Sequence, residues 1–185
     1  TVMGGSIGHA TNAKKIRLAN LALQERLPFV SLLEGSGERT TNALSRHPYA
    51  PTDMQILARL SGIVPTVALI VGPSAGHGAI TGMLKDFIIM TSDACLFAAG
   101  PPLVQAALGE KVSKQDLGGA TMHTSISGVA HNKVEDLAEG ISLVRHYLSF
   151  FPSSAYQVVK NRQSVSSQQR SLPEIFSLVP SDDRI

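Results

Sequence analysis

The run Pro65-Thr66-Val67-Ala68-Leu69-Ile70-Val71 is almost wholly apolar and leads directly into Gly72-Pro73-Ser74-Ala75-Gly76-His77-Gly78. A short run rich in branched side chains reads as a strand buried on both faces, the signature of a parallel sheet. Ala79 to Leu84 then reads as the first turns of a helix. Strand, glycine-rich turn and helix start together aim free backbone N–H groups at an anion. The small residues of the turn let a ligand approach the main chain.

The same grammar recurs along the chain. Thr1 to Gly8 reads as a strand end entering a glycine turn. Thr11 or Asn12 is positioned to cap a helix over about Ala13 to Arg26, with Ile16, Ala19, Leu23 and Leu27 on one face and Lys14, Lys15, Arg17 and Arg26 solvated. Pro28 to Leu33 reads as a second buried strand, ending in the turn Glu34-Gly35-Ser36-Gly37-Glu38-Arg39. Thr40 to Pro51 is polar and broken by proline, hence a loop. Thr52 or Asp53 caps a helix to about Gly62, with Met54, Leu57 and Leu60 inward. Phe87 to Met90 and Ala94 to Ala99 read as strands, and Leu103 to Leu108 as a helix entered through Gly100-Pro101-Pro102. Ser113 to Asp116 reads as a short capped turn, and Thr124 to His131 as extended or irregular. Val134 to Phe151 is the clearest amphipathic helix, with Leu137, Ile141, Val144, Tyr147 and Leu148 on one side. Residues 153–185 read as a linker, with a short helix over Leu172 to Val179. Strands alternating with helices define an α/β layered fold, and the strand pairs before each helix suit a strand–strand–helix repeat.

Composition narrows the function. The net charge of +2 is small, the sixteen Lys and Arg are scattered and there is no Trp, so nothing points to nucleic acid. No apolar run approaches the roughly 18 residues of a membrane span. The single cysteine, Cys95, leaves no intramolecular disulfide and suits a reducing compartment. The six histidines show no metal-ligand spacing, so no metal is expected.

Three chemistries compete for the glycine turns. Gly72-Pro73-Ser74-Ala75-Gly76 matches the G-x-S-x-G nucleophile elbow, with Asp86, Asp93 or Asp116 and then His123 or His131 in the right order for a triad. Against it, Pro73 fixes φ immediately before the serine. A dinucleotide site lacks the G-x-G-x-x-G spacing. The third reading uses both turns: if they face one another across adjacent strands, backbone donors at Gly37 and Glu38 and at Gly76 and His77 surround one thioester oxygen. One such donor is typically worth about 3 kcal/mol in a transition state.

The residues of that third reading carry a resemblance. Gly72 to Gly78 is similar to the Gly-Pro-Cys-Ala-Gly-Gly-Ala loop of the carboxyltransferase (β) subunits of biotin-dependent acyl-CoA carboxylases. Leu33 to Arg39 resembles their Asp-Ser-Gly-Gly-Ala-Arg loop, and Phe97 to Val104 their Gly-Pro segment. Gly109-Glu110, Leu117 to Ala120, His123 and Ser127 to His131 follow at the family's spacing. The resemblance implies a crotonase (ClpP/crotonase-like) fold, with residues 1–152 an acyl-CoA-binding N-domain lacking its first elements and 153–185 a linker toward an absent C-terminal domain. It implies carboxyl transfer from carboxybiotin, borne on a partner carrier, to the α-carbon of an acyl-CoA through a thioester enolate. Other crotonase-type chemistry, a hydratase or decarboxylase, would need a carboxylate from Glu34 or Glu38. By the same resemblance Gly37, Glu38, Gly76 and His77 are the oxyanion donors, with Gly35, Ser36, Arg39, Ser74, Ala75, Gly100 and Pro101 around the substrate. The implied partners are a biotin carboxylase or carrier subunit and further copies of the chain, as dimers building to a hexamer, in the cytoplasm or mitochondrial matrix. This piece alone is expected to be inactive. His77, Glu38 and Ser36 depart from the family pattern of Gly, Ala and Gly.

Overall fold

The computed structural model describes residues 2–42, 53–157, 174 and 178. Five parallel strands form one sheet around β2 (Thr66–Ala75). β1 (Phe29–Gly35) pairs along one edge of it, from Phe29 opposite Thr66 to Gly35 opposite Ser74. On its other edge β2 has two successive neighbours. β3 (Phe87–Thr91) pairs with Val67 to Ile70, and β4 (Cys95–Phe97) takes over at Pro73 to Ala75. β5 (Asn132–Val134) pairs with the far side of β3. The strand therefore runs through the glycine-proline segment that reads as a turn, because β4 supplies a second ladder there.

Alternation along β2 divides the core. Ala68 and Ile70 face a cluster with Ile88, Met90, Leu96 and Ala79. Val67 and Leu69 face the opposite side, with Ile89, Val134 and Val144. Burying one such side chain stabilises the fold by roughly 1.5–3 kcal/mol. α7 (Leu137–Leu148) covers the second face, and Gly140 lets it come close: a Cβ there would lie 2.7 Å from Leu69 Cδ1. Its Tyr147 ring stacks on Phe87 with centroids 4.3 Å apart. A third cluster joins α1 (His9–Glu25) to α2 (Asp53–Ala58) through Ala19, Ala22, Ile56, Leu57 and Leu60.

Several expectations are corrected. α1 begins after Gly8, not at Thr11 or Asn12. β1 is only half covered, with Val30 and Leu32 exposed, because it is an edge strand. Residues 120–125, read as partly irregular, form the helix α6 (Ala120–Ser125) after α5 (Lys114–Gly118), and α4 (Pro101–Leu108) starts at its proline. Leu137 and Ile141 of α7 are exposed, leaving Val144 as the buried anchor. The start of the expected linker is docked: Ser154 Oγ donates to the carbonyl of Glu25 and Tyr156 Oη to that of Gln24. The expected loop over Thr40 to Pro51 and the helix over Leu172 to Val179 lie mostly outside the described residues. Glu174 and Leu178, which are described, are helical.

Candidate active site

At the carboxyl ends of β1 and β2 lies an open groove of about 330 Å³, the end of a parallel sheet where ligands bind. Gly35, Ser36 and Ala75 line it on the strand side, and Phe97, Gly100 and Pro101 on the other. Five residues expected around the substrate thus meet in one cavity: Gly35, Ser36, Ala75, Gly100 and Pro101. Gly4, Glu34, Pro73, Pro102 and Lys114 complete the lining. Lys114 lay in a stretch read only as a capped turn, and no local signal marks it.

Beyond the groove the two loops touch. A Cβ on Gly37 would lie 3.3 Å from the nitrogen of His77, and one on Gly76 would lie 3.4 Å from the Cα of Gly37. Gly76 has φ 58° and ψ −125°, a conformation essentially closed to L-residues, and it starts α3 (His77–Met83). The four expected donors are not equivalent. The N–H of Gly76 donates to the carbonyl of Phe97 at 3.0 Å, which removes it from the set. Among the described residues no carbonyl accepts from the N–H groups of Gly37, Glu38 or His77. Glu38 is held by a bridge to Ile7, whose own N–H donates to the carbonyl of Gly37.

The side chains of His77 and Glu38 turn away from the groove lining and into a buried chain of polar groups. His77 Nε2 lies 2.6 Å from Asp53 Oδ1, and Nδ1 lies 3.5 Å from Glu38 Oε2. Lys15 Nζ lies 3.1 Å from Asp53 Oδ2. Asn42 Nδ2 donates to Glu38 Oε1 and to the carbonyl of Ile7. Burial opposes ionisation of Asp53. The hydrogen bond from His77 and the charges of Lys15 and His77 outweigh it and hold the carboxyl below its usual range. Asp53 is thus an interior anchor rather than a helix cap, and Lys15 is not part of a solvated face.

Two expected substrate residues lie elsewhere. Arg39 donates from Nε to Ser6 Oγ at 2.9 Å, packed beside Gly8. Ser74 is 1% exposed, with Oγ against Gly78, so it is no exposed nucleophile. Two of the three acids of the hydrolase reading, and both of its histidines, are also committed elsewhere. Asp86 accepts from Thr66, and Asp116 from Ser113. His123 Nε2 donates to the carbonyl of Leu96, and His131 Nδ1 accepts from the N–H of Ile88. No triad forms among the described residues. No cluster of three metal-ligating side chains is present among them either. A second cavity of about 410 Å³ opens at the other end of the strands, between Pro65, Asp86 and Tyr147.

A parallel α/β sheet of this topology, with two apposed glycine loops at its ligand end, is the framework of crotonase-like acyl-CoA enzymes. The chain belongs to the carboxyl transferase domain family, whose model matches residues 1–185. It is 31% identical over 186 residues to the methylmalonyl-CoA decarboxylase α subunit of Veillonella parvula, covering 100% of this chain and 36% of that one. It is 32% identical over 182 residues to the mitochondrial propionyl-CoA carboxylase β chain of Rattus norvegicus, covering 97% and 34%. Among solved structures, the transcarboxylase 12S hexamer with methylmalonyl-coenzyme A and methylmalonic acid bound matches with a TM-score of 0.77 at 32% identity, over 98% of this chain and 35% of that one. The chain therefore spans about a third of the length of these relatives.

Proposed function

We propose that this chain forms the acyl-CoA side of a carboxyltransferase, which moves a carboxyl group from carboxybiotin to the α-carbon of an acyl-CoA. The observation that carries the reading is the contact between the Gly37 and Gly76 loops, with the N–H groups of Glu38 and His77 free of carbonyl partners among the described residues. Loss of the α-proton to the biotin released when carboxybiotin gives up its carboxyl group places negative charge on the thioester oxygen. Two fixed N–H donors stabilise that enolate without reorganising, each typically worth about 3 kcal/mol. The groove supports the same assignment: Gly35, Ser36, Ala75 and Gly100 offer little bulk, so the thioester can lie against the main chain. Lys114 supplies a cation for the phosphates of CoA, and the rings of Phe97, Pro101 and Pro102 supply the apolar wall.

Carboxybiotin supplies the electrophilic carboxyl carbon, as a co-substrate borne on a separate carrier. The groove described is assigned to the acyl-CoA, and the biotin ring is bound by another part of the assembly. That assembly is an oligomer of this chain with a biotin carrier partner, in the cytoplasm or the mitochondrial matrix. The test is incorporation of labelled bicarbonate by the intact enzyme with its biotin carboxylase, its biotin carrier and ATP, across acyl-CoA esters of increasing chain length. Saturable labelling of at least one ester is expected. CoA-ester hydrolysis abolished by Ser74→Ala, with no labelling of any ester, would overturn the reading.

A further inference from the structure

We propose that Glu38, His77, Asp53 and Lys15 form a buried brace whose role is to fix the spacing of the two oxyanion loops. The inference rests on the reading of Glu38 and His77 as backbone donors and adds a role for their side chains. Each donor residue carries one arm of the brace, so the distance between two N–H groups is coupled to the distance between two side chains. The Glu38 carboxylate and the His77 imidazole meet at 3.5 Å from opposite loops. Asp53, from α2, anchors the far side of the same ring at 2.6 Å. Lys15, from α1, occupies the second oxygen of Asp53, so that neither carboxylate oxygen is left without a partner.

Packing alone does not require this arrangement. Burying the Asp53 carboxylate and the His77 imidazole, with Lys15 and Glu38 half-buried beside them, carries a desolvation penalty, and apolar residues of similar volume usually serve stability as well or better. What the charged set adds is direction. The imidazole has a carboxylate on each ring nitrogen, and these define its plane and its distance from both loops. Asn42 then fixes the Glu38 carboxylate from behind, at 3.2 Å, and ties it to the carbonyl of Ile7 at 2.9 Å. Glycine at 37 and 76 allows the main chains to touch but leaves them free to slide, and the brace removes that freedom. These four side chains are positioning residues, since none of them reaches the groove lining.

The test is a double-mutant cycle in the intact enzyme with Glu38→Ala, His77→Ala and the pair, together with Glu38→Gln. Misplacing a reacting geometry by about 1 Å can lower the rate on the order of a hundredfold. Each single variant is therefore expected to lower kcat about ten- to a hundredfold, with KM for the acyl-CoA within about twofold. The double variant is expected to be no slower than the worse single. Glu38→Gln, which keeps the bond from Asn42, is expected to fall between wild type and Glu38→Ala. Glu38 has a quarter of its side chain exposed, so its variants offer a folded control if His77→Ala is unstable. Amide hydrogen exchange over residues 35–39 and 75–79 reads the brace independently of turnover. It should quicken in both single variants, even if the wild-type enzyme proves to transfer no carboxyl group. Unchanged exchange, kcat within twofold of wild type in Glu38→Ala, or fully multiplicative losses would each overturn the proposal.

Discussion

Gly37 and Gly76 meet main chain to main chain, a Cβ on either glycine having 3.3–3.4 Å to the other loop. At Gly76 the backbone adds its own demand, with φ at +58°. Gly76→Ala should therefore strain the turn by about 1–3 kcal/mol and part the two loops. Urea unfolding should show the loss of stability, and titration with a non-reactive CoA ester should show weaker binding.

Ser74→Ala should leave carboxyl transfer within about threefold of wild type, because the hydroxyl is enclosed against Gly78 and aimed away from solvent. Steady-state kinetics of the intact enzyme settle it. A loss of more than a hundredfold would restore the serine as a reacting group.

Gly118→Ala addresses the far wall of the groove. A Cβ there would sit 2.2 Å from the carbonyl oxygen of Leu96 and 3.1 Å from the ring of Phe97. The backbone must shift, and overpacking of this kind typically destabilises by about 1–3 kcal/mol. Since Phe97 lines the groove, affinity for CoA esters should fall together with the melting temperature.

Lys85 predicts an unusual pH dependence. Its amine is buried over the ring of Phe29 at 4.9 Å with no hydrogen-bond partner among the described residues, and desolvation lowers its pKa to about 8. Between about pH 8 and 10.5 the unfolded chain holds more protons than the folded one, so stability should rise with pH in that window. At 1.36 kcal/mol per pH unit the rise is on the order of 3 kcal/mol. Denaturant unfolding at pH 7.5 and pH 10 measures it. Lys85→Met should be more stable than wild type at pH 7.5 and should flatten the profile.

Asp53 behaves in the opposite sense. Its folded pKa lies below the ordinary 3.8, so its ionised form stabilises the fold above that pH. The contribution is lost as the pH falls below 3.8 and through the folded value. Asp53→Asn should destabilise at pH 7 by about 3 kcal/mol, the scale of a broken buried pair. The difference from wild type should shrink under acid, as read by parallel urea titrations.

The most legible elements were those with the strongest local pattern. The run before Gly72 reads as an interior strand and is one, and of the readings open to the glycines beyond it the close approach of main chain is the one Gly76 makes with Gly37. The continuation of β2 through Pro73 was hidden, because its partner β4 lies some twenty residues away and proline normally argues against a ladder. Asp53 and Lys15 were misread for a related reason. An aspartate before an apolar run looks the same whether it caps its own helix or accepts from a histidine 24 residues on. A lysine on a helix face gives no sign of a buried partner 38 residues distant. α6 escaped notice because Thr121, Thr124 and Ser125 are poor helix formers. It is held instead by tertiary bonds such as that of His123 to Leu96.

The docking of Ser154 and Tyr156 on the carbonyls of Glu25 and Gln24 joins residues about 130 positions apart. During synthesis at roughly 5–20 residues per second, those carbonyls at the end of α1 wait about six to twenty-six seconds for their partners. Until then water must satisfy them. Helix α1, made long before its partners, is therefore among the last elements of this domain to be closed, and its carboxyl end stays open to chaperones until then.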